Sequence, residues 1–170
     1  MIDLERLFKT LTDSGVGFVL IGGAAMVAQG VGRPTRDVDA CYQRTPENIQ
    51  RLAAALAPFH PRLRGAPEGL PFRFDPETIQ RGLNFTLSTD LGDLDLLGEV
   101  AGLGFYDAVR NFSEPLTLFE RECQVLSLDG LILAKRAAGR ARDLEVLPEL
   151  EALRELRKGN SKPEKGAGNN

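Results

Sequence analysis

Apolar side chains at Ile2, Leu4, Leu7, Phe8 and Leu11 fall close to helical spacing, and Gly15 follows as a stop, so the chain opens with a predicted helix over residues 2–14. The short apolar run Val16-Gly17-Phe18-Val19-Leu20-Ile21 suits a buried strand and is broken by Gly22-Gly23, after which Ala24–Gln29 reads as a small-residue helix ended by Gly30. From Arg36 to Tyr42 charged and small apolar residues alternate, the period of a half-buried strand. Thr45 as cap and Pro46 at the first helical position predict a helix through Ile49, Leu52, Ala53 and Leu56. The stretch from Pro58 to Pro76 is rich in Pro, Gly and Arg without periodicity and reads as a loop. Strands are predicted over 83–89 and 92–97, joined at Asp90-Leu91-Gly92. A short helix follows at 106–111, then strands at 116–120 and 124–128. From Asp129 the pattern is helical through Leu131, Ile132, Leu133 and Lys135, with a break at Gly139. A last helix, interrupted or kinked at Pro148, reaches about Arg157, and the polar, Gly-rich residues 159–170 read as a disordered tail. The expected fold class is therefore α/β (α+β): a mixed sheet flanked by helices, with a helical C-terminal part.

Composition narrows this picture mainly by exclusion. A chain of 170 residues with 42% hydrophobic residues can build one real core, and with 6% aromatics and no Trp that core must rest on Leu, Val, Ile and Ala. No apolar run approaches the roughly 18 residues of a membrane span, and the first residues lack the layout of a secretion signal, so a cytoplasmic location without membrane association is expected. The net charge of −3 supplies no overall field to attract nucleic acid, leaving only a local patch such as Arg62, Arg64, Arg73 and Arg81 to recognise a polyanion. Cys41, Cys123 and the sole histidine, His60, have no zinc-site spacing, and the two cysteines read as reduced thiols.

The candidate chemistry lies in two acidic pairs. Asp37 and Asp39 are separated by one residue in a predicted strand, so both carboxylates leave the same face while Val38 and Ala40 turn the other way. Asp93 and Asp95 repeat the arrangement in Gly92-Asp93-Leu94-Asp95-Leu96-Leu97. Either pair alone reads first as the wet face of an edge strand. Asp is disfavoured in strands, however, and two strands each carrying a pair shift the balance toward a compensating cation. Mg²⁺ suits such ligands, because it prefers hard oxygens and takes one or two carboxylates together with substrate phosphates. Upstream, a strand ending in Gly22-Gly23 and opening into a helix offers backbone N–H groups and a helix dipole to an anion, although such a turn alone is weak support.

Taken together, Gly22-Gly23-Ala24-Ala25, Gly30 and Arg33-Pro34-Thr35-Arg36-Asp37-Val38-Asp39 resemble the signature of the polymerase-β-like nucleotidyltransferases, and the variant with Gly-Gly and Arg-x-Thr-x-Asp-x-Asp is most similar to the AbiEii-like branch and related bacterial nucleotidyltransferase-fold proteins, many of them toxin–antitoxin components. Leu91–Leu97 matches the family's third-carboxylate strand, and Lys135-Arg136-Ala137-Ala138-Gly139-Arg140-Ala141-Arg142-Asp143 resembles its C-terminal helical motif. The similarity spans roughly residues 17–150 and is not specific for a substrate.

The resemblance implies a nucleotidyltransferase fold with a catalytic core over 1–128, C-terminal helices over 129–158 packed on it, and the tail beyond. It implies an enzyme that binds a nucleoside triphosphate (NTP) with two Mg²⁺ or Mn²⁺ ions and transfers a nucleotidyl group to an acceptor hydroxyl on RNA such as tRNA, on a protein or on a small molecule. Asp37, Asp39 and Asp95 would be the metal ligands, with Gly22, Gly23, Arg33, Arg36 and Lys135 around the nucleotide. The role of Asp93 stays open. So does a silent, nucleotide-binding or partner-binding member of the same fold, such as an antitoxin, and a toxin or antitoxin is a candidate protein partner.

Overall fold

The structure, a computed structural model, describes residues 3–161. In chain order its elements are α1 (Leu4–Asp13), β1 (Phe18–Ile21), α2 (Gly22–Ala28), β2 (Asp37–Tyr42), α3 (Pro46–Leu56), a 3-10 turn (Ala57–Phe59), β3 (Arg62–Leu63), α4 (Pro76–Arg81), β4 (Phe85–Thr89), β5 (Gly92–Leu97), β6 (Glu99–Val100), β7 (Gly104–Phe105), α5 (Tyr106–Asn111), β8 (Ser113–Leu118), β9 (Arg121–Leu126), α6 (Leu128–Ala138) and α7 (Ala141–Asn160). Seven strands form one mixed sheet in the order β3-β4-β5-β2-β1-β9-β8, and β6 pairs with β7 apart from it. The expected class, a mixed sheet with flanking helices, is the one found.

Two parallel pairings organise the centre. β1 lies parallel to β9 and antiparallel to β2. β2 in turn runs parallel to β5, with Asp37 beside Asp93 and Asp39 beside Asp95. Partners in register project from the same face, so both acidic pairs emerge together. On the other face Val38 and Leu94 are buried with Leu20, Leu87, Leu96 and Val125, part of the aliphatic core that the shortage of aromatics demands. α3 is held to the sheet by one polar side chain. Asn48 is buried, accepts from Gly17 N at 2.6 Å, and donates to Gly17 O at 3.0 Å and Gln43 O at 2.7 Å.

Several boundaries differ from the sequence reading. The stretch read as loop holds the 3-10 turn and β3, and it ends by starting α4, where Asp75 caps Thr78 N and Pro76 fills the first turn. β8 and β9 are shifted from 116–120 and 124–128 because Phe119 and Glu120, both at positive φ, make the hairpin turn (49° and 62°). Ser127 then caps α6, so Leu128 opens a helix instead of closing a strand. α7 continues through Pro148 to Asn160, with Val146 and Leu150 buried on either side of the proline. Residues 159 and 160 are thus helical, and the rest of the expected tail, from 162 on, lies outside the described residues. No helix among the described residues is long and apolar enough to cross a membrane.

Replacing Asn48 with Ala strands the Gly17 N–H and the Gln43 carbonyl, while Gly17 O keeps the Gln43 N–H, and urea unfolding should show a loss of roughly 3 kcal/mol. A loss under about 0.5 kcal/mol, the size of an ordinary surface change, would show that α3 is not tied to the sheet through this residue.

Candidate functional site

Asp37, Asp39 and Asp95 each present a ligand oxygen, and the three atoms lie within 4.8 Å of one another, making the one such acidic triad found among the described residues. The parallel β2–β5 register produces this: Asp39 sits beside Asp95 across the strands, and Asp37 lies two residues back on the same face. All three are half-buried. Burial raises the pKa of Asp39 to about 7, the charges of Asp37 and Asp95 add to the rise, and Lys135 opposes it. Asp39 therefore holds its proton well above the usual carboxylate range. Burial raises Asp95 as well, against the opposing effect of the Arg64 guanidinium. This donor set fits a divalent cation: three hard oxygens in reach of one point, their mutual repulsion offset by Arg64 beside Asp95 and by the charge of Lys135.

The glycine turn closes one side. Gly22 opens α2 with φ 60°, in the left-handed region, and a Cβ there would stand 2.2 Å from Asp39 Oδ2. Only glycine satisfies both conditions. At Gly23 a Cβ would meet Thr35 Oγ1 at 3.1 Å, and Thr35 itself donates to Asp37 O, tying the loop to the start of β2. No side chain caps α2.

The triad opens into a cleft of about 680 Å³ that Gly22, Gly23, Arg33, Arg36, Lys135, Arg140 and Arg142 also line. The expected nucleotide residues are therefore brought to one cleft with the carboxylates. Arg36 is on the cleft wall and exposed. Arg33, also exposed, reaches Glu149 at 3.6 Å. Lys135, on the largely apolar α6, has an acidic partner: its Nζ lies 3.0 Å from Asp143 Oδ1. Asp143 is only 1% exposed and also receives Arg140 Nε at 2.6 Å. Burial disfavours its charge, yet the hydrogen bonds from Arg140 and Lys135 prevail and lower its pKa. Thus α6 and the start of α7 are locked together at the cleft by one buried carboxylate under two bases.

Sequence reasoning missed Arg64 as a member of this neighbourhood. Grouped there with a phosphate-binding patch, it turns inward instead, placing Nη2 2.7 Å from Asp95 Oδ1 and Nε 3.2 Å from Asp93 Oδ2. Two of the other patch arginines are also engaged with acids, Arg62 with Asp90 at 3.9 Å and Arg81 with Glu77 at 2.6 Å. No local signal marks the Arg64 contact, because 31 residues separate it from Asp95.

No family model matches the chain, and no curated protein matches it in sequence. Solved structures do match it in fold. TM1012 of Thermotoga maritima, assigned as a nucleotidyltransferase, superposes with a TM-score of 0.52 at 16% identity, covering 94% of this chain and 96% of that one. The lincosamide antibiotic adenylyltransferase LnuA, solved with lincomycin bound, gives 0.58 at 14% identity over 89% and 98%. ANT(2″)-Ia, solved in complex with adenylyl-2″-tobramycin, gives 0.53 at 14% identity over 94% and 97%. This is a nucleotidyltransferase fold. Within it the Gly-Gly turn at β1–α2, the acidic strand β2 and its parallel neighbour β5 enclose the cleft, while α6 and α7 supply its basic wall.

Two predictions follow from this geometry. The folded, metal-free protein holds a proton on Asp39 up to about pH 7, whereas an unfolded aspartate releases it near pH 4. Between those values the folded state binds more protons, so its stability falls as pH rises through that window, and the loss is complete above about pH 7. Asp143, with its lowered pKa, acts in the opposite sense and only below its ordinary 3.8. Thermal melts of the metal-free protein between pH 5 and pH 8 should show the decline, and Asp39→Asn should flatten it; an unchanged slope in that variant would place the titration elsewhere. Gly22→Ala should lower stability by roughly 1–3 kcal/mol through strain at positive φ and displace the Asp39 carboxylate, which the same melts and a Mn²⁺ titration would detect. A variant as stable as the parent with unaltered Mn²⁺ binding would contradict the close approach.

Proposed function

We propose that the chain is a metal-dependent nucleotidyltransferase that moves a nucleoside monophosphate from an NTP to an acceptor hydroxyl. One observation carries the reading: Asp37, Asp39 and Asp95 converge beside an uncapped Gly22-Gly23 turn, in a cleft whose opposite wall is basic. The shared fold supports it. We further propose that the sheet and helices α6 and α7 work as one catalytic unit, since Lys135, Arg140 and Arg142 come from the helical part.

Asp37, Asp39 and Asp95 would hold the divalent cations, Mg²⁺ or Mn²⁺, which when bound neutralise charge on the reacting phosphate and on the departing pyrophosphate. Gly22 and Gly23 let the triphosphate approach the backbone, and the amide donors of the first turn of α2 face an anion there. Arg33, Arg36 and Lys135 offset the triphosphate charge, the arginines by two-pronged contacts and Lys135 as a point charge. Asp143 keeps the Lys135 ammonium at the cleft. The acceptor oxygen attacks the α-phosphorus, the bond to the bridging oxygen breaks, pyrophosphate leaves, and the acceptor proton passes to the Asp95 carboxylate. A silent, nucleotide-holding role fits less well, because all three carboxylates are present and gathered.

The acceptor we favour is a small hydroxylated molecule. Arg62, Arg64 and Arg81, three of the four arginines offered to an RNA backbone, are engaged with acids of this chain. LnuA and ANT(2″)-Ia, of like fold, were solved with an antibiotic and an adenylylated antibiotic. The AbiEii-like assignment, with RNA as acceptor and a toxin or antitoxin as partner, rests on the resemblance of Gly22-Gly23 and the Arg33–Asp39 motif.

The test is to incubate the protein with each α-labelled NTP and Mg²⁺ or Mn²⁺, offering total RNA, lysate protein, and lincosamides and aminoglycosides as acceptors. Label should enter a small molecule, and Asp37→Asn should reduce transfer by about 100-fold or more. Label in RNA would move the assignment to the AbiEii-like reading. Triphosphate binding with no transfer to any acceptor and no pyrophosphate release would overturn the enzymatic reading.

A further inference from the structure

Arg64 follows β3 at the sheet edge, yet its guanidinium lies over the middle of the sheet, where four acceptors converge on it or its backbone. Nη2 donates to Asp95 Oδ1 at 2.7 Å and to Leu87 O at 2.9 Å. Nε, closed off from solvent, faces Asp93 Oδ2 at 3.2 Å in an ion pair that lacks hydrogen-bond alignment. The Arg64 backbone N–H donates to Thr86 O at 2.9 Å, fixing the base of the side chain. Asp93 is itself held from the other side, its Oδ1 receiving Ser88 Oγ at 2.9 Å.

We propose that Arg64 is a positioning residue for Asp95, with Asp93 and Ser88 as its anchors, and that this chain sets the carboxylate's orientation toward the divalent cation. The inference rests on the reading that Asp37, Asp39 and Asp95 bind that cation. The terminal torsion of an aspartate is broad, so an unattached Asp95 would sweep its oxygens through a range of directions. Arg64 takes Oδ1 and leaves the other oxygen uncommitted to it. A cation so close to a metal site has two readings with opposite consequences. As a mobile stand-in for the metal it would compete, and its removal would tighten metal binding. As a fixed orienting group it would prepare the ligand, and its removal would loosen binding. The anchoring decides for the second, since Leu87 O and Asp93 hold the guanidinium in place irrespective of the triad. The otherwise unassigned Asp93 acquires a task in the same step: it holds the arginine that holds Asp95.

Outer partners of metal ligands typically contribute 10–100-fold in metal affinity. Mn²⁺ binding, followed by electron paramagnetic resonance, should therefore weaken by about 10-fold or more in Arg64→Ala. Arg64→Lys should fail to restore it, because an ammonium keeps the charge but cannot span Asp95, Asp93 and Leu87 O together. Asp93→Asn, which leaves Arg64 and its contact to Asp95 in place, should weaken binding in the same direction by less, and it tests the inference even if Arg64→Ala folds poorly. In turnover, kcat should fall while KM for the NTP holds, since the glycine turn and Lys135 are untouched. Tighter or unchanged Mn²⁺ binding in both Arg64→Ala and Asp93→Asn, or full rescue by Lys, would overturn the positioning role. Asp37→Asn separates this from the underlying reading: if that variant and the parent bind Mn²⁺ alike, the metal site itself is misassigned, whereas loss in Asp37→Asn with none in the Arg64 and Asp93 variants defeats this inference only.

Discussion

Three carboxylate oxygens within 4.8 Å of one another repel. At an effective dielectric near 20 each like-charged pair at that distance costs about 3 kcal/mol, and half-burial removes much of the water that would screen it. The protein on its own meets this by leaving a proton on Asp39, whose pKa is pushed to about 7, and by setting Arg64 against Asp95. Such an arrangement is stable only beside positive charge, and a divalent cation supplies more of it in less space than any side chain. The rest of the molecule can be understood as the means of holding that tension in place.

The sheet does so through register. Because β2 and β5 run parallel with Asp39 beside Asp95, carboxylates distant in sequence come together without any loop having to aim them. Val38, Leu94 and Leu96 anchor the opposite face in the core. The β1–α2 turn comes so close to Asp39 that only a glycine at positive φ fits, which places an uncapped helix start next to the triad. Basic side chains then arrive from outside the sheet. Lys135 and Arg140 share the buried Asp143, so the two C-terminal helices present their charge to the cleft as one rigid unit.

The acidic pairs, the glycine turn and the helix caps were legible from the chain because each is a local pattern. Period-two alternation put Asp37 with Asp39 and Asp93 with Asp95, and Thr45-Pro46 announced α3. Asp75-Pro76 carried an equally local signal for α4, hidden by the irregular arginine- and glycine-rich stretch before it. Other features had no local trace. Phe119 and Glu120 turn a hairpin at positive φ without the Gly or Asn that usually marks one, so the strands on either side were misplaced. The inward course of Arg64 depends on β3 pairing with β4 and β4 with β5, contacts that chain spacing does not encode. For the same reason a set of arginines that resembles a nucleic-acid patch in sequence proves largely occupied by the protein's own acids.

The claim that the triad is built around a cation is tested most directly by anomalous diffraction from crystals equilibrated with Mn²⁺. A manganese peak in contact with Asp37, Asp39 and Asp95 together is the expected result. Ordered crystals in which manganese binds elsewhere, or in which those carboxylates bind none at saturating concentration, would contradict it.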